Sequence, residues 1–252
     1  MTYKTTPDGP LTVDVFAPDD ERARPRPAIL FFHGGGWTGG SPEQFYPFGE
    51  PLAKRGAVVM NFAYRLLRND NEAPLAAMQD AQDAVRWTLA QADEMGVDRT
   101  RIVIGGESAG AHIALTTLFA VGDHAEEPAS ARPIAVVLFN PVLDVVEGWE
   151  AGRKRLEQAG VEPRDFSPAH QIRPGMPATI VFQGDADETT PVASARAYRD
   201  RMLDAGNACV LVEYEGRGHG FFNAGRSRED FEDVLSRTIT FLESLNIFDP
   251  AE

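Results

Sequence analysis

The sequence has a single cysteine, Cys209, so it can close no disulfide within the chain and build no cysteine metal cluster. It has no apolar run near the roughly 20 residues that a membrane helix needs, so neither a spanning helix nor a membrane partner is expected. Basic residues are scarce. The 24 Lys and Arg stand against 38 Asp and Glu, a formal charge of -14. A phosphate backbone would be repelled, and no counterion release would favour its binding, so a nucleic-acid partner is not expected either. The start, Met1-Thr-Tyr-Lys-Thr-Thr-Pro7, lacks the apolar core of a secretory leader. It reads as cytoplasmic, or as secreted or periplasmic if a leader has been removed. No internal repeat or low-complexity tract interrupts the 252 residues, a length that α/β folds fill as one domain.

Short apolar and β-branched runs alternate with helical patterns. That alternation predicts an α/β fold, a mostly parallel sheet of about eight strands with helices on both faces. Ala28–Phe32, Ala57–Asn61 and Arg101–Gly105 are dense enough to be central strands, and Ile134–Asn140, Thr179–Gln183 and Val210–Tyr214 follow them. Looser runs near Tyr3 and at Leu11–Phe16 suit an antiparallel edge. Helices are expected over Pro42–Arg55, Leu75–Glu94 and Pro191–Ala205, stopped by Gly56, Gly96 and Gly206. The stretch 142–177 fits neither pattern. It is charged and proline-bearing with a helical patch at Gly152–Ala159, and reads either as a small lid or as a solvated surface insertion.

The reactive residue types gather where strands end. In Arg101-Ile-Val-Ile-Gly-Gly-Glu-Ser-Ala-Gly-Ala-His112 a buried strand runs into Ser108, set between Gly106 and Gly110 and followed by a helix. The glycines let a tight turn form, and the turn lifts the hydroxyl above the sheet edge as a nucleophile elbow does. The helix from about Ala109 aims its N–H groups and positive dipole end at the same point. A serine that merely caps the helix is the competing reading, but it does not account for the buried strand before it.

Ala28-Ile-Leu-Phe-Phe-His33-Gly34-Gly35-Gly36-Trp37 carries a core strand into three glycines, whose backbone can turn N–H groups toward a developing negative charge. Gly35, Gly36 and Ala109 are the expected oxyanion donors. The run Gly34-Gly-Gly36-Trp-Thr-Gly39 also matches a dinucleotide fingerprint, which fails on two counts. The next strand ends in Asn61 and Phe62, with no acid for ribose hydroxyls, and Pro42 delays the helix that a pyrophosphate needs. No lysine makes the loop a phosphate cradle, so neither cofactor nor metal is expected. His33, just before the glycines, suits a structural hydrogen bond that shapes the loop.

A serine hydroxyl needs a base to take its proton, and the base needs a carboxylate to fix its tautomer. Of five histidines, His112 lies in the helix after the elbow, and His124 and His170 sit in polar segments away from strand ends. His219 follows the strand Val210–Tyr214 in a glycine-rich loop that can carry an imidazole over the sheet edge. After Thr179–Gln183 come Asp185, Asp187 and Glu188. Asp187 sits deeper in its loop and is the favoured acid, with Asp185 open as the alternative because it can bond its own turn. Ser108, Asp187, His219 is the chain order of α/β-hydrolase triads.

His33-Gly-Gly-Gly-Trp37, Gly106-Glu-Ser-Ala-Gly110, Asp185-Ala-Asp-Glu-Thr-Thr-Pro191 and Gly218-His-Gly-Phe-Phe222 follow in order across nearly the whole chain. With them the sequence resembles the α/β-hydrolase carboxylesterases of the hormone-sensitive-lipase and acetyl esterase group, and the small acetyl-xylan and feruloyl carbohydrate esterases. Tyr64-Arg65 looks like the Tyr-Arg pair that supports the elbow region in those families. The resemblance implies a serine carboxylesterase acting through an acyl-enzyme on short-chain, acetyl-type esters of carbohydrate or aryl alcohols. Larger members carry a substantial helical N-terminal cap. A small or minimal cap is expected here, which argues against a long-chain lipase and leaves room for small-molecule or oligosaccharide esters, with Trp37, Phe221 and Phe222 as an aromatic rim. A small amidase of the kynurenine-formamidase kind shares the loop and triad. A non-catalytic receptor of the gibberellin-receptor kind shares the fold but typically lacks the histidine present here as His219. Because the base must be a neutral imidazole, hydrolysis should rise through about pH 6–7.5. A rate flat from about pH 5 to 8, with chemistry limiting, would contradict a histidine base.

Overall fold

Strands that are apolar on both sides must be covered on both faces, and the chain meets that demand with one sheet between two layers of helices. The computed structural model describes residues 1–20, 25–68, 74–119 and 132–249; His124 lies outside them. The strands are β1 (Thr2–Thr6), β2 (Gly9–Phe16), β3 (Arg26–Phe32), β4 (Val58–Phe62), β5 (Val97–Glu107), β6 (Ala135–Phe139), β7 (Ala178–Gly184) and β8 (Cys209–Tyr214). They form an 8-stranded sheet in the order β1-β2-β4-β3-β5-β6-β7-β8. The pairs β1–β2 and β2–β4 are antiparallel, and every pair from β4 to β8 is parallel. This is the sheet expected from the sequence. β5 starts earlier than expected because Val97 already pairs with Arg26.

The helices are α1 (Tyr46–Lys54), α2 (Leu75–Ala90), α3 (Ala109–Thr116), α4 (Glu150–Gln158), α5 (Val192–Asp204) and α6 (Arg228–Ser244). A 3-10 turn at Pro42–Phe45 precedes α1, and α2 stops at Ala90, short of the expected Glu94. The sequence reading did not single out α6, although its signals are present. Ser227 Oγ accepts the Asp230 N–H at 3.2 Å, Glu229 and Asp230 favour the positive end, and Phe231, Val234, Leu235 and Leu242 share the buried face.

Side chains alternate across the sheet. Ala28, Leu30 and Phe32 of β3 face the core on the side of α2, α3 and α5, whereas Ile29 and Phe31 face the core on the side of α1 and α6. The second layer is filled by rings. Phe139 lies 4.5 Å from Phe222 and 5.5 Å from Phe182, and Phe31 lies 4.5 Å from Phe45. Stacks of this kind add to the burial of their area.

Between β6 and β7 the chain leaves the sheet and folds back on itself. Ala169 N donates to Leu143 O at 2.8 Å, Val145 N to Ser167 Oγ at 3.2 Å, and Val146 N to Asp144 Oδ1 at 2.8 Å. The segment docks on the body of the protein at several points. Trp149 stacks on Trp37, and the Phe166 carbonyl accepts from His112 Nε2 at 2.9 Å. Among the described residues, no helix is long and apolar enough to cross a membrane.

His112 is fully buried, and burial pushes its imidazole down to about 4. The folded protein therefore keeps it neutral where the unfolded chain, near 6.5, takes up a proton. Its contribution to stability is complete above about pH 6.5 and is lost as pH falls toward about 4, with a slope of up to roughly 1.4 kcal/mol per pH unit. Gln at position 112 keeps a donor for Phe166 and does not titrate. Denaturant unfolding of His112→Gln at about pH 7 and about pH 4.5 should therefore show a flatter pH dependence than the wild type. His33 and His170, also held low by burial, keep the rest of the slope. An unchanged slope would remove His112 from the account.

Candidate active site

β5 ends where Ser108 begins, and α3 starts with the next residue. Ser108 has φ 51° and ψ -114°, a conformation that L side chains rarely adopt and that costs of order 1–3 kcal/mol. The neighbouring glycines show why the turn accepts nothing larger. A Cβ on Gly106 would lie 2.6 Å from the Gly110 carbonyl carbon, and one on Gly110 would lie 2.1 Å from Phe32 O. Ser108 N donates to Phe139 O at 3.0 Å, and Ser108 O accepts from His112 N at 3.2 Å and Val142 N at 3.3 Å. The elbow is thus tied to β6 on one side and to its own helix on the other.

β3 runs out into the glycine loop beside it. Gly35 and Gly36 take φ values of 116° and 63°, and a Cβ on Gly35 would meet Gly39 O at 2.2 Å. The Gly34 N–H is occupied by Gln44 Oε1 at 2.8 Å. Among the described residues no hydrogen bond occupies the N–H of Gly35 or Gly36. Ala109 is the first residue of α3, so its N–H has no acceptor within the helix. His33 shapes this loop: its Nδ1 donates to Gly34 O at 2.8 Å and its ring stacks on Tyr64 at 4.2 Å. The Tyr64 hydroxyl donates to His33 O at 2.7 Å, whereas Arg65 pairs with Asp80 on α2. Of the Tyr64-Arg65 pair, the tyrosine props the glycine loop and the arginine ties to α2; neither bonds the elbow.

β7 and β8 bring the acid and the imidazole together. His219 Nδ1 lies 2.8 Å from Asp187 Oδ2. Asp187 Oδ1 accepts from the N–H groups of Thr189 and Thr190 at 2.8 and 2.9 Å, and Oδ2 from Thr190 Oγ1 at 2.9 Å and Gln183 Nε2 at 3.1 Å. Burial pushes the Asp187 carboxyl up, but these donors, His219 foremost, outweigh burial and hold it below the usual carboxylate range. An ionised Asp187 keeps the His219 proton on Nδ1 and leaves Nε2 as an acceptor. Asp185 is exposed, and its carboxylate accepts Gly216 N at 2.7 Å instead.

Several polar residues that sequence reasoning missed join these parts. Asn140, at the end of β6 with φ 34°, donates from Nδ2 to Glu107 Oε1 at 2.8 Å and lies 3.4 Å from His219 Nε2. Its Oδ1 accepts Gly220 N at 3.1 Å. Glu107 Oε1 is 3.5 Å from His219 Nε2, and burial raises this carboxyl against the pull of Asn140 and His219. Gln44 donates to Asn223 Oδ1 at 3.1 Å, and Asn223 Nδ2 donates to Gly220 O at 2.9 Å. Glycine loop, elbow and histidine loop are therefore held by one polar chain. The only sequence signals were a variable position in Gly-x-Ser-x-Gly and a polar residue closing an apolar strand.

The expected aromatic rim is not there. Trp37, Phe221 and Phe222 are 1%, 5% and 0% exposed. Phe222 belongs to the ring-filled layer under Phe139, Phe221 packs 4.6 Å from Tyr214, and Trp37 lies against Trp149 and His112. Burial of such a side chain gains about 1.5–3 kcal/mol, which outweighs leaving it at the mouth of a site. Among the described residues, no three His, Cys, Asp or Glu side chains are grouped to hold a metal ion.

Residues 29–167 match the family profile described as alpha/beta hydrolase fold. The chain is 29% identical over 229 residues to esterase LipC of Mycobacterium tuberculosis, covering 83% of this chain and 56% of that protein. It is 30% identical to an acetyl-hydrolase of Streptomyces hygroscopicus, covering 76% of this chain and 67% of the other. Against a probable isoprenylcysteine alpha-carbonyl methylesterase of Oryza sativa subsp. japonica, at 28% identity, it spans 60% of the relative. The chain thus spans less than two thirds of the length of two of these three relatives. Among solved structures, the Thermogutta terrifontis esterase Est2 with propionate bound is similar over 100% of this chain and 96% of its own, at 38% identity and a TM-score of 0.90. The chain belongs to the alpha/beta hydrolase fold family, and its relatives include proteins named esterase and carboxylesterase.

Proposed function

We propose that the protein is a serine carboxylesterase in which Ser108 is the nucleophile, His219 the base and Asp187 the carboxylate that orients it. The observation that carries this reading is the 2.8 Å bond from His219 Nδ1 to a buried, five-fold bonded Asp187 at the same sheet edge as a strained serine. His219 Nε2 takes the Ser108 Oγ proton as Oγ bonds to the acyl carbon, and the carbonyl electron pair moves onto oxygen. The N–H groups of Gly35, Gly36 and Ala109 hold that oxyanion, each at roughly 2.7–4 kcal/mol of barrier lowering. Collapse returns the carbonyl, and the alcohol leaves with the proton from Nε2. Water then repeats the sequence on the acyl-enzyme, releasing the acid and restoring Ser108.

The acyl group in this reading is short. Support comes from the Thermogutta terrifontis esterase, solved with propionate and with butyrate bound, and from the relative named acetyl-hydrolase. On the alcohol side, burial of Trp37, Phe221 and Phe222 removes a stacking rim for sugar and aryl alcohols alike. Kinetics on p-nitrophenyl acetate, butyrate and octanoate, with acetylated xylo-oligosaccharides alongside, test both sides. Acetate and butyrate are expected to be the better aryl substrates. Ser108→Ala should abolish turnover, and Asp187→Asn should lower kcat about 10⁴-fold. Hydrolysis that survives in Ser108→Ala would sink the reading.

A further inference from the structure

We infer that Trp149, from the segment between β6 and β7, is a positioning residue for the oxyanion loop. Its indole, seated between Trp37 and Gly152, holds the backbone at 35–37 in the form that presents the Gly35 and Gly36 N–H groups. The inference rests on the function proposed above, because it takes those N–H groups as the oxyanion donors.

Three consecutive residues of the loop have positive φ: Gly35 at 116°, Gly36 at 63° and Trp37 at 61°. The glycines adopt such values freely, and Trp37 does not. Any relaxation of Trp37 toward negative φ would pass into Gly36 and Gly35, whose backbones resist little, and would swing their peptide planes. What holds Trp37 therefore holds the donors. Its indole stacks on Trp149 with centroids 4.3 Å apart and planes at 24°, and meets the edge of His112 at 5.4 Å and 87°. Its carbonyl accepts Leu67 N at 2.7 Å. His112 is itself fixed, one turn past Ser108 and bonded to the Phe166 carbonyl.

The other side of Trp149 is equally specific. A Cβ on Gly152 would lie 1.9 Å from Cε3 and 2.1 Å from Cζ3 of the Trp149 ring. α4 thus carries a glycine, a poor helix residue, where the indole lies flat against its backbone. The ring is a plate between helix and loop, half-buried and without a hydrogen-bonding duty of its own in the site. It acts through Trp37 and does not touch the reacting atoms in this role.

Trp149→Ala is expected to lower kcat for p-nitrophenyl acetate by the order of tenfold to a hundredfold, the effect of shifting a positioned group by about 1 Å. KM should change little, since the loss falls on groups that bind the transition state. Trp149→Phe, which leaves a flat ring on Trp37, should recover most of the rate. Gly152→Ala keeps both indoles and improves the helix propensity of α4, yet forces the ring from its seat, so it should reproduce the loss of kcat. A Trp149 that only stabilised the fold would not produce that result. The inference is overturned if kcat in Trp149→Ala and Gly152→Ala stays within about twofold of the wild type, or if the loss appears in KM alone. Ser108→Ala measured in parallel keeps the two claims apart. If hydrolysis survives there, the proposed function fails and the positioning role with it. If it does not survive and the Trp149 and Gly152 variants keep their kcat, the positioning role alone fails.

Discussion

The backbone of α3 passes so close to the end of β3 that a Cβ on Gly110 would lie 2.1 Å from Phe32 O and 2.3 Å from His33 O. The rest of the upper sheet edge depends on that approach. It forces β5 to turn into α3 within one residue, which puts Ser108 into its strained conformation. It also seats the first turn of α3 against the carbonyls where β3 gives way to the glycine loop. Close packing of this kind makes a site rigid, since protein interiors transmit strain and do not absorb it.

Around His219 the structure separates two carboxylates by environment. Asp187 is surrounded by donors and is held below the usual carboxylate range, whereas Glu107 is raised by burial. The first faces Nδ1 at 2.8 Å and the second Nε2 at 3.5 Å. Titratable neighbours pushed apart in this way give an imidazole two unlike sides. Asn140 lies against both Glu107 and His219 Nε2 and also bonds Gly220 in the histidine loop, so the position of the imidazole depends on the residue that follows β6. The segment after β6 reaches further still, to Trp37 and His112.

Much of this was legible in the sequence. Continuous apolar runs in β3, β4 and β6 can only be strands covered on both faces, and Ser108, Asp187 and His219 each follow a strand with glycine or proline beside them. Other features were not legible. Asn140, Gln44 and Glu107 matter through partners far away in the chain, and no local pattern marks those contacts. Phe221 and Phe222 are expected at a rim because a small cap leaves the mouth of the site open, but which layer a ring joins is decided by the whole second face of the sheet. α6 was overlooked although Ser227 and the acids after it form a helix start. Trp37 is expected at the same rim, and its packing against Trp149 and His112 places it in the core.

A serine nucleophile makes one demand that a capping serine does not: it must become covalently modified. A similar esterase, Est2 of Thermogutta terrifontis, has been solved phosphorylated by paraoxon, and the same reagent with peptide mass mapping tests Ser108 directly. One diethylphosphoryl adduct on the peptide that carries Ser108, absent from Ser108→Ala, is the expected result. An adduct on another residue that removes esterase activity, or full activity with no adduct, would overturn the assignment of Ser108 as nucleophile.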